Sequence, residues 1–483
     1  MRASLPTLPP WILGAALLAA CAGPDRSPPS RSHELAPQAV PRPLVSEDPR
    51  ALPPGPLGPR ALLDALARRN PSLASARARI DGASALLDQA EAALRPRLEL
   101  STALMRSDAP STFLFQTIDA HRLAPGQDFN HPGTFDALQA GAAFRWNLWR
   151  GGQDALARDA AADEVSARAS DAFALENALA SAAIAAWLDA RAAAELLSAD
   201  DASLASLRAQ LEDARSRVAA GSALRSDELT LAVRVSEAEE RRLRTDSARK
   251  LALAALRALL ALPPNTPIEL AADGADDALE LGLLPRAEES ARDEAWRVRP
   301  ELTAVRRRLD AARAARASAE RAWMPSLDAE ARAWAVDEHG GLDAGTPNAE
   351  ARLALSWVLL DGGGRRGAAR GRDAELRALE HERERLELAI GLEIEAAWIG
   401  LEEAEARRTV TAGALAAAEE TLVLVESQFR GGAAPVTRFL EAEADRTRAR
   451  AEAVRARIDV QRARAELARA LGRFAPGSKG VAR

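Results

Sequence analysis

Few side chains in this 483-residue chain have the types and spacing that catalysis requires. Its five histidines are scattered, at positions 33, 121, 131, 339 and 381, and its single cysteine excludes a disulfide within the chain. The run Gly362-Gly363-Gly364 lacks the lysine and serine of a phosphate-binding loop. Paired carboxylates are common, but they fall on charged helical stretches where water solvates them. We therefore predict that the protein is not an enzyme and holds no metal or diffusible cofactor.

The one thiol lies where a covalent modification is expected. Arg2 precedes an apolar run from Trp11 to Ala20, which is short and ends in small residues, as export signals do. The residues Leu18-Ala19-Ala20-Cys21 resemble the bacterial lipoprotein box. This resemblance implies that Cys21 becomes the first mature residue and carries a diacylglycerol on sulfur and an N-acyl chain such as palmitate. The alternative is a plain signal peptide followed by a dispensable cysteine. Ala22 is compatible with delivery to the outer membrane.

The region after Cys21 is rich in proline. Residues 22 to 60 contain eleven prolines in 39 positions, which predicts an extended tether. We divide the chain into a signal peptide (1–20), a lipidated tether (21–60), a first repeat (61–262), a linker (263–285), a second repeat (286–473) and a loose C-terminal tail (474–483).

The two repeats form a tandem duplication. Asn70-Pro71 and Pro96 recur as Arg299-Pro300 and Pro325 at an offset of 229 residues. A second offset, 211 residues, relates Trp146, Gly151-Gly152, Trp187 and Gly221 to Trp357, Gly362-Gly363, Trp398 and Gly432. The first copy therefore carries a loop that is 18 residues longer between Pro96 and Trp146. A repeat of this kind reports architecture before function.

Each repeat contains two segments with a side-chain period of two. We predict strands at about 97–106, 135–149, 326–336 and 349–360. In the first of them Leu98, Leu100 and Leu104 share one face, opposite Glu99 and Ser101. Such alternation over about ten residues indicates a transmembrane β-barrel with its apolar face toward lipid, although an ordinary half-buried sheet would also alternate. The chain has no tyrosine, so the candidates for an aromatic girdle are Trp146, Trp149, Trp334 and Trp357.

Long stretches without proline surround the strands. Gln153 to Ala220 would span roughly 100 Å as a single helix. Apolar residues recur at three- and four-residue steps, as in Leu204, Leu207 and Leu211, which predicts helices packed as coiled coils. Because charges recur every few residues, none of these helices is predicted to cross a membrane. The predicted fold is mainly α, with a transmembrane β portion.

The charge pattern argues against a nucleic-acid partner. The chain has 64 basic and 70 acidic residues, a net charge of −6. The two signs alternate, as in Glu382-Arg383-Glu384-Arg385, so no basic stripe forms.

Taken together, these landmarks resemble the TolC-like outer membrane efflux protein family over residues 61 to about 473. The most specific resemblance lies in two kinds of motif. The strand-to-helix exits are Trp146-Asn147-Leu148-Trp149-Arg150-Gly151-Gly152 and Trp357-Val358-Leu359-Leu360-Asp361-Gly362-Gly363. The hairpin tips are Arg217-Val218-Ala219-Ala220-Gly221 and Gln428-Phe429-Arg430-Gly431-Gly432.

The resemblance implies a homotrimer in the outer membrane of a Gram-negative cell. Each protomer would give four strands to a shared twelve-stranded barrel, continued by a long α-helical coiled-coil barrel in the periplasm. The implied function is the passive channel of a tripartite efflux or secretion system, with an inner-membrane pump and a periplasmic membrane-fusion adaptor as partners. Four strands alone cannot close a barrel, and an open edge in lipid leaves backbone groups unpaired. Physics therefore also requires closure by other copies, without fixing their number.

The hairpin tips have two candidate roles. By resemblance to the family, Gly221-Ser222-Ala223 and Gly432-Ala433-Ala434 meet the adaptor, although glycine also suits any tight turn between helices. Acidic residues that ring the periplasmic mouth in the family align with Asp227 and Arg438, and with Thr230 and Glu441. This chain therefore keeps Asp227 and Glu441 but places an arginine at 438. These residues are the gate candidates; the alternative is an ordinary solvated helix face.

A second class of function remains open from the residues alone. A periplasmic coiled-coil scaffold or adaptor lipoprotein without a pore would contain the same helices, with the four strands as a small soluble sheet. No motif identifies the exported compound or the class of pump.

Overall fold

The computed structural model describes residues 55–222, 224–271, 284–285, 287–337, 347–431 and 433–474. The proposed lipid site Cys21, the signal peptide, most of the tether and the tip residue Gly432 lie outside the described residues.

Apart from one additional helix in the first repeat, helices and strands follow the same order in both repeats. The first repeat contains Pro59–Arg69 (α1), Pro71–Ala92 (α2), Arg97–Ser107 (β1), Pro110–Asp119 (α3), Phe135–Arg150 (β2), Gln153–Ala219 (α4) and Arg225–Leu259 (α5). The second contains Glu288–Val298 (α6), Pro300–Glu320 (α7), Ser326–Asp337 (β3), Asn348–Ser356 (β4), Gly364–Arg430 (α8) and Val436–Ala470 (α9). Helix α3 occupies the longer loop of the first repeat and has no counterpart among the described residues of the second.

The chain forms two compact units. One unit contains residues 83–165 and 309–377, and with them the four strands. The strands form a single antiparallel sheet in the order β1-β2-β3-β4. All four predicted strands are therefore confirmed, and they belong to one sheet.

The last strand is shorter than its alternation predicts. The pattern continues through Leu359, but β4 ends at Ser356, which pairs with Ser326, the first residue of β3. Pro325 precedes Ser326 and has no backbone N–H to donate, so among the described residues the β3–β4 ladder ends at the Ser326–Ser356 pair. The chain then turns into α8.

The described part of the other unit lies within residues 55–82, 166–308 and 378–474, and its long elements are helices. Its interior includes Leu62 of α1, Trp187 of α4 and Leu256 of α5, all fully buried. The Trp187 indole donates to the Leu57 carbonyl oxygen at 2.8 Å. A separate apolar cluster joins both helix hairpins, through residues such as Leu207 and Phe439. The three-and-four spacing of the sequence therefore reports real helix packing.

Within the described residues, no helix combines the length and apolar content that crossing a lipid bilayer requires.

Candidate functional site: the strand faces and the helix tips

One face of the sheet carries a ladder of charged and polar pairs. Arg145 pairs with Glu99 at 2.7 Å, and Arg332 pairs with Glu350 at 2.5 Å. Further along, Arg352 pairs with Glu330, and the Asn147 amide donates to Asp328 at 2.8 Å. The two members of each pair lie on neighbouring strands, and the register of those strands places them side by side. This face is suited to water.

The opposite face is apolar and exposed. Leu100 is 78% exposed, and Leu98, Leu104, Leu353 and Leu355 are also exposed. A continuous exposed apolar surface normally contacts lipid or another protein. Arg106 and Asp136 form an ion pair of 2.7 Å on this same face, where β1 ends and β2 begins. The exposed apolar surface therefore stops at this pair. This disposition favours a membrane barrel over a small soluble sheet.

Two of the four tryptophans proposed for a girdle lie on the apolar face. A bulge between Asn147 and Trp149 brings Trp149 opposite Leu327, on the same face as Trp146. By simple alternation Trp149 would point to the polar face. Trp334, in contrast, lies on the polar face, with the Arg332 guanidinium 4.4 Å from its ring centre. The proposal of a girdle role for Trp334 is therefore wrong, because register places it among the charged residues.

The two strand-to-helix exits are built alike. The Trp146 indole donates to the Leu94 carbonyl oxygen at 3.1 Å, and the Trp357 indole donates to the Trp323 carbonyl oxygen at 2.8 Å. The paired glycines that follow all have positive φ angles, from 62° at Gly151 to 94° at Gly363. Only glycine adopts this conformation readily, so the repeated pair turns each strand into its long helix.

The helix-hairpin tips also share one geometry. The Ser222 backbone N–H donates to the Arg217 carbonyl oxygen at 2.9 Å. The Ala433 backbone N–H donates to the Gln428 carbonyl oxygen at 2.8 Å. Gly221 has a φ of 72°, as expected of a residue that ends a helix in the left-handed conformation. Gly221, Ser222 and Ala433 are all exposed. The structure therefore leaves three of the four predicted tip residues accessible, and the fourth is Gly432, outside the described residues.

The gate candidates lie just after these tips. Asp227 is half-buried in the first turn of α5, where the helix dipole favours a carboxylate. Arg438 and Glu441 are exposed in α9 and form an ion pair of 3.4 Å with one another. The arginine that departs from the family pattern is thus next to the acid that is retained. An exposed pair three residues apart contributes little to stability.

Sequence reasoning missed a buried polar layer in the helical unit. Asp200 of α4 accepts from Thr245 at 2.7 Å and pairs with Arg241 at 3.2 Å, both on α5. Glu443 of α9 accepts from Ser203 at 3.2 Å and from Arg446 at 2.8 Å. The chain has 70 acidic residues, and nothing in the local sequence distinguishes these two. No group of three or more histidine, cysteine or acidic side chains in the described residues has the arrangement of a metal site.

Known proteins place this geometry in a family. Residues 62–262 and 291–473 match the outer membrane efflux protein family, so the chain belongs to that family. Its fold is similar to the open state of the Neisseria gonorrhoeae MtrE outer membrane channel, with 19% identity and a TM-score of 0.72 over 86% of this chain and 88% of that one. It is also similar to the Vibrio cholerae outer membrane protein VceC, with 20% identity and a TM-score of 0.68 over 86% of this chain and 96% of that one. A membrane protein from Pseudomonas aeruginosa gives 21% identity and a TM-score of 0.72 over 86% and 92% of the two chains. No curated protein sequence matches the chain.

The family and fold class predicted from the residues are thereby confirmed. The protein is an outer membrane efflux protein, mainly α-helical, with four strands per protomer.

Proposed function

We propose that three copies of this chain form the passive outer membrane duct of a tripartite efflux or secretion system. The duct would carry substrates from an inner-membrane pump, through a periplasmic adaptor, to the exterior of a Gram-negative cell. Selection of the substrate is assigned to the pump, because a wide aqueous channel makes few specific contacts.

The observation that carries this proposal is an open sheet with two dissimilar faces. Within the described residues, the outermost strands β1 and β4 each pair with one other strand. In lipid, every unpaired backbone group costs several kcal/mol, so the sheet must close on strands from other copies. The exposed leucines of β1 and β4 then face lipid, and the ion-paired face surrounds the lumen. Three copies give twelve strands, an even number that leaves room for a lumen.

The trimer is tested directly by native mass spectrometry of protein extracted from membranes in detergent. We expect a mass of three lipidated chains, and migration in SDS that changes on heating. A folded monomer would overturn the trimeric barrel.

Anchoring through Cys21 is proposed as an addition to the barrel. Acyl chains contribute about 0.8 kcal/mol per buried CH₂ group, so two or three chains hold a protein stably at a membrane. Labelled palmitate should enter the wild-type chain and should not enter Cys21→Ser. An unmodified mature N-terminus at Ala22 or later would contradict the lipid assignment and leave the barrel untouched.

The tips are proposed as the surface that meets the adaptor. Their support is the exposure of Gly221, Ser222 and Ala433 at turns of matching geometry. A bulky insertion at either turn should abolish export while the trimer persists. Normal export by such a variant would argue against docking through the tips.

The mouth beside the tips is proposed as a charged gate. In a trimer Asp227, Arg438 and Glu441 each become a ring of three. Converging carboxylates raise the local negative potential and attract cations, and the Arg438–Glu441 pair would oppose this within each copy.

A further inference from the structure

Helix α3 lies on the polar face of the sheet. It follows β1 and precedes β2, so it sits at the end of the strands opposite to the exits into α4 and α8. The Asp119 carboxylate accepts from the Trp334 indole at 3.2 Å, and the Asp119 carbonyl oxygen accepts from the Asn348 amide at 2.8 Å. Ala120 packs with Ala137 and Val336. These partners belong to β2, β3 and β4, so the helix is fixed to the sheet.

The last two turns of α3 expose apolar side chains and bury a polar one, unlike the surface of a helix that faces water. Thr117 is fully buried, and neither its hydroxyl oxygen nor the Gln116 amide oxygen has a hydrogen-bond partner in the described part of the chain. Phe115 is 65% exposed and Ile118 is 44% exposed. A helix that faces water from one side normally buries such apolar side chains and exposes the polar ones. The exposed side of α3 therefore suits contact with another apolar surface.

The ends of α3 are also fixed. His121 has a φ of 58°. Its backbone N–H donates to the Ile118 carbonyl oxygen at 2.9 Å, and the Arg122 backbone N–H donates to the Thr117 carbonyl oxygen at 3.0 Å. These two bonds close the helix in the manner of a Schellman motif. The Phe113 ring lies 5.2 Å from the Phe135 ring, at the start of β2. The outward direction of Phe115 is therefore set by the fold.

We propose that the α3 helices of three copies converge inside the outer mouth of the barrel, where Phe115 and Ile118 form an apolar constriction. This inference rests on the proposed trimeric duct, since the polar face is then the lumenal face and the far side of α3 faces the axis. A helix with side chains is about 10–12 Å wide. Barrels of about 8 strands are filled by side chains, whereas barrels of 16 or more leave an aqueous channel. Three helices therefore occupy much of a twelve-stranded lumen, and an apolar ring there restricts flow by excluding water.

Cross-linking tests the position of the helix. Identical residues of a symmetric ring come close together only near its axis. Phe115→Cys in the trimer should give cross-linked dimers with a short bifunctional maleimide. Leu360→Cys is the matched control, because Leu360 is 90% exposed and lies at the opposite end of the strands. We expect Phe115→Cys to cross-link and Leu360→Cys not to cross-link, with the unsubstituted trimer as the background control. An intact trimer of Phe115→Cys that reacts with the reagent but does not cross-link would overturn the proposal.

Single-channel recording tests the constriction itself. Phe115→Ser with Ile118→Ser should raise the conductance of the trimer several-fold. Leu123→Ser removes an equally exposed apolar side chain outside the helix and should leave the conductance unchanged. Equal conductance of the double variant and the wild type would overturn the constriction. Failure of the wild type to form trimers or channels would instead overturn the proposed function, so the two failures are distinguishable.

Discussion

Asn70 and Arg299 make the same contact in the two repeats with different side chains. The Asn70 amide donates to the Leu259 carbonyl oxygen at 2.8 Å, and the Arg299 guanidinium donates to the Ala470 carbonyl oxygen at 3.0 Å. The donors are related by the offset of 229 residues and the acceptors by the offset of 211, as the duplication requires. Each contact joins the start of a repeat to the end of its last helix. The duplication thus preserved the position of a buried bond while the donor changed.

Loss of Arg299 should destabilise the fold more than loss of Asn70. The Arg299 side chain is 3% exposed and pairs with Glu301 at 3.0 Å and with Glu393 at 2.8 Å. Arg299→Met leaves both carboxylates without this partner. They are partly exposed and Glu393 still pairs with Arg469, so we expect a cost toward the lower end of the range of about 3–5 kcal/mol that applies to a broken buried pair. Asn70→Ala removes hydrogen bonds from a neutral side chain, at a cost of about 1–3 kcal/mol.

The comparison is made by thermal unfolding of the detergent-solubilised protein, followed by circular dichroism. Arg95→Ala, which removes an exposed pair with Glu91, is the control and should change little. Equal midpoints for Arg299→Met and Arg95→Ala would contradict the structural role of Arg299.

Gly151→Ala should be more damaging than Gly362→Ala, although the two glycines are equivalent in the repeats. Both have positive φ angles, 62° and 66°, so both changes introduce backbone strain of about 1–2 kcal/mol. A Cβ atom at Gly151 would also lie 2.7 Å from the Met324 Cβ and 3.2 Å from the Arg321 carbonyl oxygen, whereas nothing lies within 4 Å at Gly362. The heating temperature at which the SDS-resistant trimer dissociates measures the difference. A larger loss in Gly362→Ala would contradict this account of the exits.

Asp361 should stabilise the start of α8 only while it is ionised. Its carboxylate accepts from the backbone N–H groups of Arg365 at 2.7 Å and Gly363 at 3.1 Å, and these bonds lower the pKa of Asp361 below its usual value. Because the folded-state pKa is lowered, the stabilisation is complete above the unfolded pKa of about 3.9 and is lost as the pH falls through the folded pKa.

Wild type and Asp361→Ala should therefore differ in unfolding temperature at neutral pH and converge in acid. The measurement is a series of melting curves from pH 7 downward, with equal salt. A difference that persisted unchanged well below the usual aspartate pKa would show that the carboxylate charge is not responsible.

How much of this could be predicted from the sequence depends on the range of the interactions. The strands follow from side chains that alternate with a period of two, and the helices follow from apolar residues at three- and four-residue steps. The exits and tips follow from glycines that recur at the repeat offset. The bulge that moves Trp149 to the apolar face, and the end of β4 at Ser356, depend on pairing with distant residues. Helix α3 was not predicted, since its place is set by contacts such as that between Asp119 and Trp334, 215 residues apart.

The gate proposal predicts a change in ion selectivity. Asp227→Asn with Glu441→Gln should reduce the preference for cations and weaken block by divalent cations, because six carboxylates leave the mouth of a trimer. Asp445→Asn is the control, since Asp445 is also exposed in α9 and pairs with Arg448 at 3.2 Å. Unchanged selectivity and block in the double variant would place the gate elsewhere.

The central claim is that the four-stranded sheet becomes a pore. It is tested most directly by single-channel recording of the purified trimer in a planar lipid bilayer, with heat-denatured protein as the control. We predict discrete, stable conductance steps from the folded protein and none from the denatured protein. A folded trimer that repeatedly gives no conductance would contradict the account and favour a periplasmic scaffold without a pore.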